Sequence, residues 1–221
     1  ASGLAAVIDA ARAISCGEGE VILAGGVESM SRAPFVFAKS ETSFSRDLKV
    51  FDSTIGARFP NPAIEKQFGD DTMPKTGDNV AVEYGVTRED ADRFAAASQA
   101  RYEAAKQASF FAGEIVGVEV SQGRKLSPKL VEIDEHPRPS SDFVALQKLK
   151  PLFEGGVVTA GNASGVNDGA AALIIGSTAA EQKLGIKPMA KILSSGAAGI
   201  EPRIMGAGPV DAIKLALKRA N

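Results

Sequence analysis

Apolar residues recur at helical spacing near the start of the chain: Leu4, Val7, Ile8, Ala11 and Ile14 predict a helix buried along one face. The pattern stops at Cys16-Gly17, where glycine suits a C-terminal cap. The next run, Glu20-Val-Ile-Leu-Ala-Gly-Gly26, lacks polar alternation, which predicts a strand in a sheet covered on both faces. From Phe35 to about Phe68 no period is sustained, and Pro60 and Pro62 interrupt it. This stretch predicts a long, ordered connection of the kind that often carries function. Met73-Pro-Lys-Thr76 precedes a short helix predicted over 78–84. Thr87 with Asp90 has the form of a capping box, opening a helix from Ala91 to about Phe110 that buries Phe94, Ala97, Ser98, Tyr102 and Ala105. The runs 114–120 and 129–133 flank a Gln122-Gly123-Arg124 turn and predict a hairpin. Phe143, Leu146 and Leu149 predict a short amphipathic helix. Beyond it come a helix over 178–184, a strand over 189–193 and a last helix over 210–220 with proline at its start.

Between these elements lies Val157 to Ser177, VVTAGNASGVNDGAAALIIGS, apolar at both ends and polar in the middle. Gly161, Gly165 and Gly169 leave room for a ligand or a neighbouring backbone to come close. Asn162, Ser164, Asn167 and Asp168 crowd polar groups into a segment that otherwise reads as buried. Buried polar groups must be paired, so the segment is either an internally bonded turn or the wall of a site.

Composition narrows the class. The 221 residues allow one large domain or two smaller ones. A net charge of −2 gives no electrostatic case for nucleic acid. No apolar stretch is long enough for a membrane helix, and the opening residues have no signal-peptide pattern. A single cysteine rules out an internal disulfide and a cysteine-rich metal site, and fits a reducing cytoplasm. Glycine is frequent and aromatic residues make up only 6% of the chain, which suggests α/β packing with close backbone approaches. No dinucleotide, Walker or zinc motif is present.

The candidates for direct chemistry are few. Cys16 falls at the C-terminal end of the first helix, where the dipole disfavours a thiolate, and reads as structural or incidental. The single histidine, His136, sits in the charged loop Asp134-Glu-His-Pro-Arg138 and reads as a surface or structural residue. Glu28, just after a buried strand, needs partners as a structural carboxylate unless it acts in catalysis.

Three ordered motifs resemble the thiolase family. Ala1-Ser2-Gly3-Leu4-Ala5-Ala6-Val7 resembles the tail of the thiolase active-site signature, beginning one position after its nucleophilic cysteine. Gly25-Gly26-Val27-Glu28-Ser29-Met30-Ser31 matches the family's GG-x-ESMS segment. Gly161-Asn-Ala-Ser-Gly165 with Asp168-Gly-Ala170 matches its GNASG-x-x-DGA segment. The resemblance is nearest to members acting on 3-oxoadipyl-CoA, through softer features such as 55–59 and 78–81.

The resemblance implies an α/β fold of two related halves with an inserted loop domain. Residues 1–29 and 167–186 would belong to the N-terminal half, 30–166 to the loop domain, and 187–221 to the start of the C-terminal half. It implies an acyltransferase that cleaves a 3-oxoacyl-CoA with coenzyme A, in the β-ketoadipate pathway of aromatic catabolism. Coenzyme A is then a substrate, and no cofactor is implied. It also implies a homodimer or homotetramer in the cytoplasm. Residue by residue, it places Ser164 towards the pantetheine arm, Met73 near the acyl pocket and Arg138 at the coenzyme A phosphates. The family's nucleophile would precede Ala1, and its Gly-His-Pro and second-cysteine motifs would follow Asn221. The 221 residues therefore read as an inactive central fragment with no catalytic residue of their own. The alternatives are a fragment of a biosynthetic acetoacetyl-CoA thiolase, or a non-catalytic acyl-CoA-binding or assembly remnant.

Overall fold

A computed structural model describes residues 2–221. In chain order the elements are α1 (Ser2–Ser15), β1 (Val21–Glu28), β2 (Phe35–Phe37), β3 (Val50–Asp52), α2 (Pro62–Phe68), α3 (Met73–Tyr84) and α4 (Arg88–Gln107). There follow β4 (Val118–Val120), β5 (Lys129–Val131), α5 (Phe143–Gln147), β6 (Gly169–Gly176), α6 (Thr178–Leu184) and α7 (Gly208–Ala220). They form two compact units, the first made of Ala1–Thr76 with Val166–Asn221 and the second of Gly77–Gly165. Contacts thus group 30–76 with the first unit, and the boundary falls within α3. Ala1, which opens the first motif match, lies outside the described residues.

In the first unit β1 pairs antiparallel with β6 from Val21↔Gly176 to Glu28↔Gly169. Gly25 sits opposite Ala172 because only a missing side chain fits there: a Cβ would meet the Ala171 carbonyl oxygen at 2.7 Å. Helix α1 packs on this pair through Val7, Ala10, Ala11 and Ile14. Leu4, expected on the buried face, is exposed instead. The helix ends as expected: Gly17 takes φ +78°, and the Gly17 and Glu18 amides donate back to Ile14 and Ala13. The sheet, however, is not covered on both faces. Residues paired across the ladder share a face, and Ala24 is buried on the side of α1. On the other side Leu23 (71%), Val27 (78%) and Ile174 (74%) stand exposed. An unbroken apolar run does not reveal how many neighbours a strand has within its own chain.

The stretch from Phe35 to Phe68 is more regular than its sequence suggests. It holds the β2–β3 pair, with Val36 opposite Phe51, and then α2. Asn61 caps α2 through its side chain and Pro62 occupies the first turn, where no amide is needed. Met73 likewise does not precede a separate helix; it begins α3, whose first turn tolerates Pro74. Arg203 Nε bonds Asp71 Oδ2 at 2.8 Å and joins this part of the unit to the 3-10 turn Pro202–Ala207. The expected strand over 189–193 is absent. That segment instead leads into an irregular run along α7, where Ser194 Oγ bonds the Ala216 carbonyl and Arg219 bonds the Ser195 carbonyl. Gly196 makes this approach possible, since a Cβ there would lie 2.9 Å from the Ala216 nitrogen.

In the second unit Thr87 and Asp90 form the capping box reciprocally at the start of α4. The buried stripe of α4 differs from the expected one. Phe94, Ala97 and Ser98 are exposed; Tyr102 and Ala105 are half-buried as expected, and Ala91, Asp92, Ala95 and Gln99 join them on the inward side. A polar anchor, the fully buried Asp92, sets the rotation of the helix. The hairpin β4–β5 forms, with Glu119 opposite Leu130, over shorter strands than the expected 114–120 and 129–133. Helix α5 packs on α4 through Leu146, which is almost completely buried. No helix among the described residues is long and apolar enough to cross a membrane.

Candidate functional site

The loop 157–165 is built from its backbone outward. Asp78, on α3, accepts the amides of Val157 and Val158 on one oxygen, Oδ1, at 2.8 and 2.9 Å. Its other oxygen, Oδ2, is buried without a hydrogen-bond partner. It packs against Gly156, where a Cβ would lie 2.7 Å from the carboxyl carbon. Thr159 is fully buried, and its hydroxyl accepts the amides of Gly161 and Asn162. Asn162 closes the turn. Its Oδ1 accepts the Thr159 amide at 2.7 Å, and its Nδ2 donates to the Val157 carbonyl and to Asp92 Oδ1. The other Asp92 oxygen accepts Arg88 Nε at 2.7 Å, and Arg88 Nη2 donates to the Leu146 and Leu149 carbonyls. Gly161 slots between those two leucines; a Cβ would lie 2.5 Å from a methyl carbon of each.

Of the two readings open from sequence, the first half of the segment is thus an internally bonded turn. Its polar side chains are spent on the loop itself and on α3 and α4. The second half differs. Ser164 is exposed, and among the described residues no hydrogen bond engages its hydroxyl. The braced turn therefore ends in a presented serine.

Arg138 lies in the same unit, on the loop between β5 and α5. Its side chain is exposed, and its amide donates to Gln99 Oε1 of α4 at 2.8 Å. The Tyr102 hydroxyl bonds Asp134 Oδ2 at 3.1 Å. Partial burial, and then the bond to the Asp134 carboxylate, hold that hydroxyl above its ordinary pKa. No hydrogen bond or ion pair among the described residues joins Arg138 to Ser164. Met73, the third residue singled out from sequence, is the first residue of α3, belongs to the first unit and is 60% exposed.

The motifs of the first unit meet at a second polar contact. Asp168 accepts both the amide and the hydroxyl of Ser31. The hydroxyl bond, and then the amide bond, hold the Asp168 carboxyl below its ordinary pKa. Glu28, expected to be a structural carboxylate with partners, is exposed at the end of β1. Cys16 is exposed as well, in a shallow cleft of about 250 Å³ lined by Ile8, Ala11, Arg12, Ser15 and residues 192–195. No histidine or carboxylate lines that cleft. Among the described residues no cluster of histidine, cysteine and carboxylates could hold a metal ion.

Sequence reasoning missed Asp78, Arg88, Asp92 and Gln99. The signal was present for one of them. Asp92 lies between Ala91 and Ala95 on the inward side of α4, and a carboxylate buried there needs a partner.

Comparison with known proteins identifies relatives of this chain. The model of the N-terminal domain of thiolase matches residues 1–179. A beta-ketoadipyl-CoA thiolase of Pseudomonas aeruginosa is 54% identical over 99% of this chain and 54% of its own length. An acetyl-CoA acetyltransferase of Allochromatium vinosum is 41% identical over 99% of this chain and 55% of its own. Among solved structures, human mitochondrial 3-ketoacyl-CoA thiolase in complex with CoA superposes with a TM-score of 0.83 at 40% identity, covering 99% of this chain and 53% of that one. The chain spans about half the length of the curated relatives it matches. Its α/β architecture, its three motifs and the family match agree: the chain belongs to the thiolase family.

Proposed function

We propose that the chain is part of a thiolase that cleaves a 3-oxoacyl-CoA, 3-oxoadipyl-CoA in preference, with coenzyme A into acetyl-CoA and a shortened acyl-CoA. The observation that carries this reading is the braced 157–165 turn with its free serine, in a chain 54% identical to a beta-ketoadipyl-CoA thiolase. The lower identity to the acetyl-CoA acetyltransferase, 41%, favours the dicarboxylic substrate over acetoacetyl-CoA. The reaction has two halves. A cysteine thiolate attacks the 3-oxo carbon, and the bond between C2 and C3 breaks. Its electron pair leaves on acetyl-CoA as an enolate, which takes up a proton. The thiolate of a second coenzyme A then displaces the acyl group from the enzyme cysteine.

The residues of this chain serve binding in that scheme. Ser164 meets the pantetheine arm, Arg138 pairs with coenzyme A phosphates and Met73 borders the acyl group. A guanidinium suits phosphate oxygens, and such charge-assisted bonds are the strong ones. Coenzyme A is consumed as a substrate, and the scheme requires no cofactor. The division into an N-terminal half (1–29 and 167–186), a loop domain (30–166) and the start of a C-terminal half (187–221) belongs to the same proposal. So do cytoplasmic placement and assembly as a homodimer or homotetramer.

The test is titration of the 221-residue chain with CoA, 3-oxoadipyl-CoA and acetoacetyl-CoA. The expected affinity is at the millimolar end of the usual scale, about 1 mM, and falls as salt rises. Arg138→Ala weakens it, whereas Arg124→Ala, in the turn between β4 and β5, does not. Met73→Ala narrows the preference for 3-oxoadipyl-CoA. Equal weakening by both arginine variants would overturn the assignment of the phosphate contact. A stronger response to acetoacetyl-CoA would favour the biosynthetic type.

A further inference from the structure

The backbone of Arg138 is engaged on both sides while its guanidinium is not. Its amide donates to Gln99 Oε1 at 2.8 Å, and its carbonyl accepts the Ser141 amide at 2.9 Å. Three positions further along α4, the Tyr102 hydroxyl bonds Asp134 Oδ2. Residues three apart share one face of a helix, so α4 grips this loop at both ends of its Asp134–Arg138 segment. Both gripping side chains are half-buried on a helix of 20 residues that its own capping box and Asp92 hold in place. The loop has no strand or helix of its own between Val131 and Phe143. These two bonds therefore supply much of its order.

A long, exposed arginine on an unanchored loop spends much of its binding energy on being ordered. Fixing its Cα beforehand removes the backbone share of that cost. A glutamine suits the task, since its carbonyl oxygen accepts the amide and its uncharged head does not repel phosphate.

We infer that Gln99 is a positioning residue for Arg138: it fixes the 134–141 loop on α4 so that the guanidinium is held ready for the phosphates of a coenzyme A thioester, with Tyr102 as the second anchor. This rests on the reading of Arg138 as the phosphate contact. The role is to position, and Gln99 itself does not touch the ligand.

The experiment is a double-mutant cycle on the 221-residue chain, using CoA and pantetheine, which carries no phosphate, as probes. Arg138→Ala weakens CoA binding about tenfold and leaves pantetheine unchanged. Gln99→Met, close in shape but without the acceptor, weakens CoA about three- to tenfold, and has no further effect once Arg138→Ala is present. Tyr102→Phe follows the same pattern with a smaller loss. Hydrogen exchange at the Arg138 amide gives a readout free of ligand. It is slow in the wild-type chain, fast in Gln99→Met, and slow again in Gln99→Glu, which restores an acceptor. Additive losses, an equal loss for pantetheine, or an Arg138 amide whose exchange ignores Gln99 would each overturn the inference. If Arg138→Ala leaves CoA binding intact, the phosphate-contact reading falls, and this inference with it. If Arg138→Ala weakens binding and Gln99→Met does not, only the positioning role falls.

Discussion

Asp168 accepts both the amide and the hydroxyl of Ser31, at 2.8 and 2.6 Å, across 137 positions of the chain. The pair ties the turn that leaves β1 to the segment that enters β6. Because these bonds favour the charged carboxylate, the Asp168 carboxyl titrates below its ordinary value. The sign follows from linkage. A lowered carboxyl pKa contributes stability that is present above the unfolded value, near pH 4, and is lost as pH falls through the folded value. Ser31→Ala removes the larger of the two causes. Its expected outcome is an upward move of the Asp168 titration, read from its carboxyl carbon shift between pH 2 and about 6. An unchanged titration would mean that the amide alone holds the carboxylate.

Gly25 and Gly26 are neighbours with opposite tolerance. A Cβ at Gly25 meets the Ala171 carbonyl oxygen at 2.7 Å and the Ala172 Cα at 3.3 Å, whereas at Gly26 nothing lies within 4 Å. Gly25→Ala is expected to cost about 1–3 kcal/mol, since the obstruction is backbone and cannot rotate away. Gly26→Ala is neutral or slightly stabilising, because alanine loses less freedom on folding. Urea unfolding of the two variants checks the contrast.

Asp92 has no exposed surface and serves Asn162 with one oxygen and Arg88 with the other. Asp92→Ala strands both partners and is expected to cost about 3–5 kcal/mol. Asn162→Ala leaves the Thr159 amide and one Asp92 oxygen unpaired, at about 1–3 kcal/mol. Because the two residues share a bond, the double variant costs less than the two losses added together. Denaturation midpoints of the three variants measure the coupling.

How far the sequence foretold these features depends on the range of the interaction. The capping box at Thr87 and Asp90, the glycine cap at Gly17 and helix α6 were legible because each depends on residues within one turn. The rotation of α4 was not. Apolar periodicity pointed to Phe94, while the deciding contact was a carboxylate meeting an asparagine 70 positions away. The 157–165 turn was legible as a concentration of polar groups. Which of them were spent internally depended on α3 and α4, and a reading of the turn alone left Ser164 and Asn162 on an equal footing.

Thiolytic turnover by the 221-residue chain is expected to be absent, and Cys16→Ser to change nothing. A nucleophilic thiol needs a base within reach, and the cleft that holds Cys16 offers none. His136 is exposed on the second unit's 134–141 loop. The measurement is loss of the magnesium–enolate absorbance of acetoacetyl-CoA. Turnover that vanishes in Cys16→Ser would overturn this expectation.

The open face of the β1–β6 pair carries Leu23, Val27 and Ile174 into solvent. Apolar patches of this kind drive association. The chain is expected to self-associate or to bind a hydrophobic dye, and Leu23→Lys with Ile174→Lys to shift it towards monomer in light scattering. A wild-type chain that stays monomeric across concentrations without binding dye would count against this.

The pairing of β1 with β6 also has a kinetic side. The two strands flank the whole second unit in the sequence, so the ladder closes a loop that contains Gly77–Gly165. Bringing distant ends of a flexible chain together costs entropy that grows with the length between them, and such non-local pairings slow folding. A second unit that has already folded shortens that loop to the distance between its own ends. The longer the inserted unit takes to fold, the longer the strands that bracket it stay apart. During that interval β1 waits with both edges unpaired, and this is when the chain is most exposed to pairing with another copy of itself.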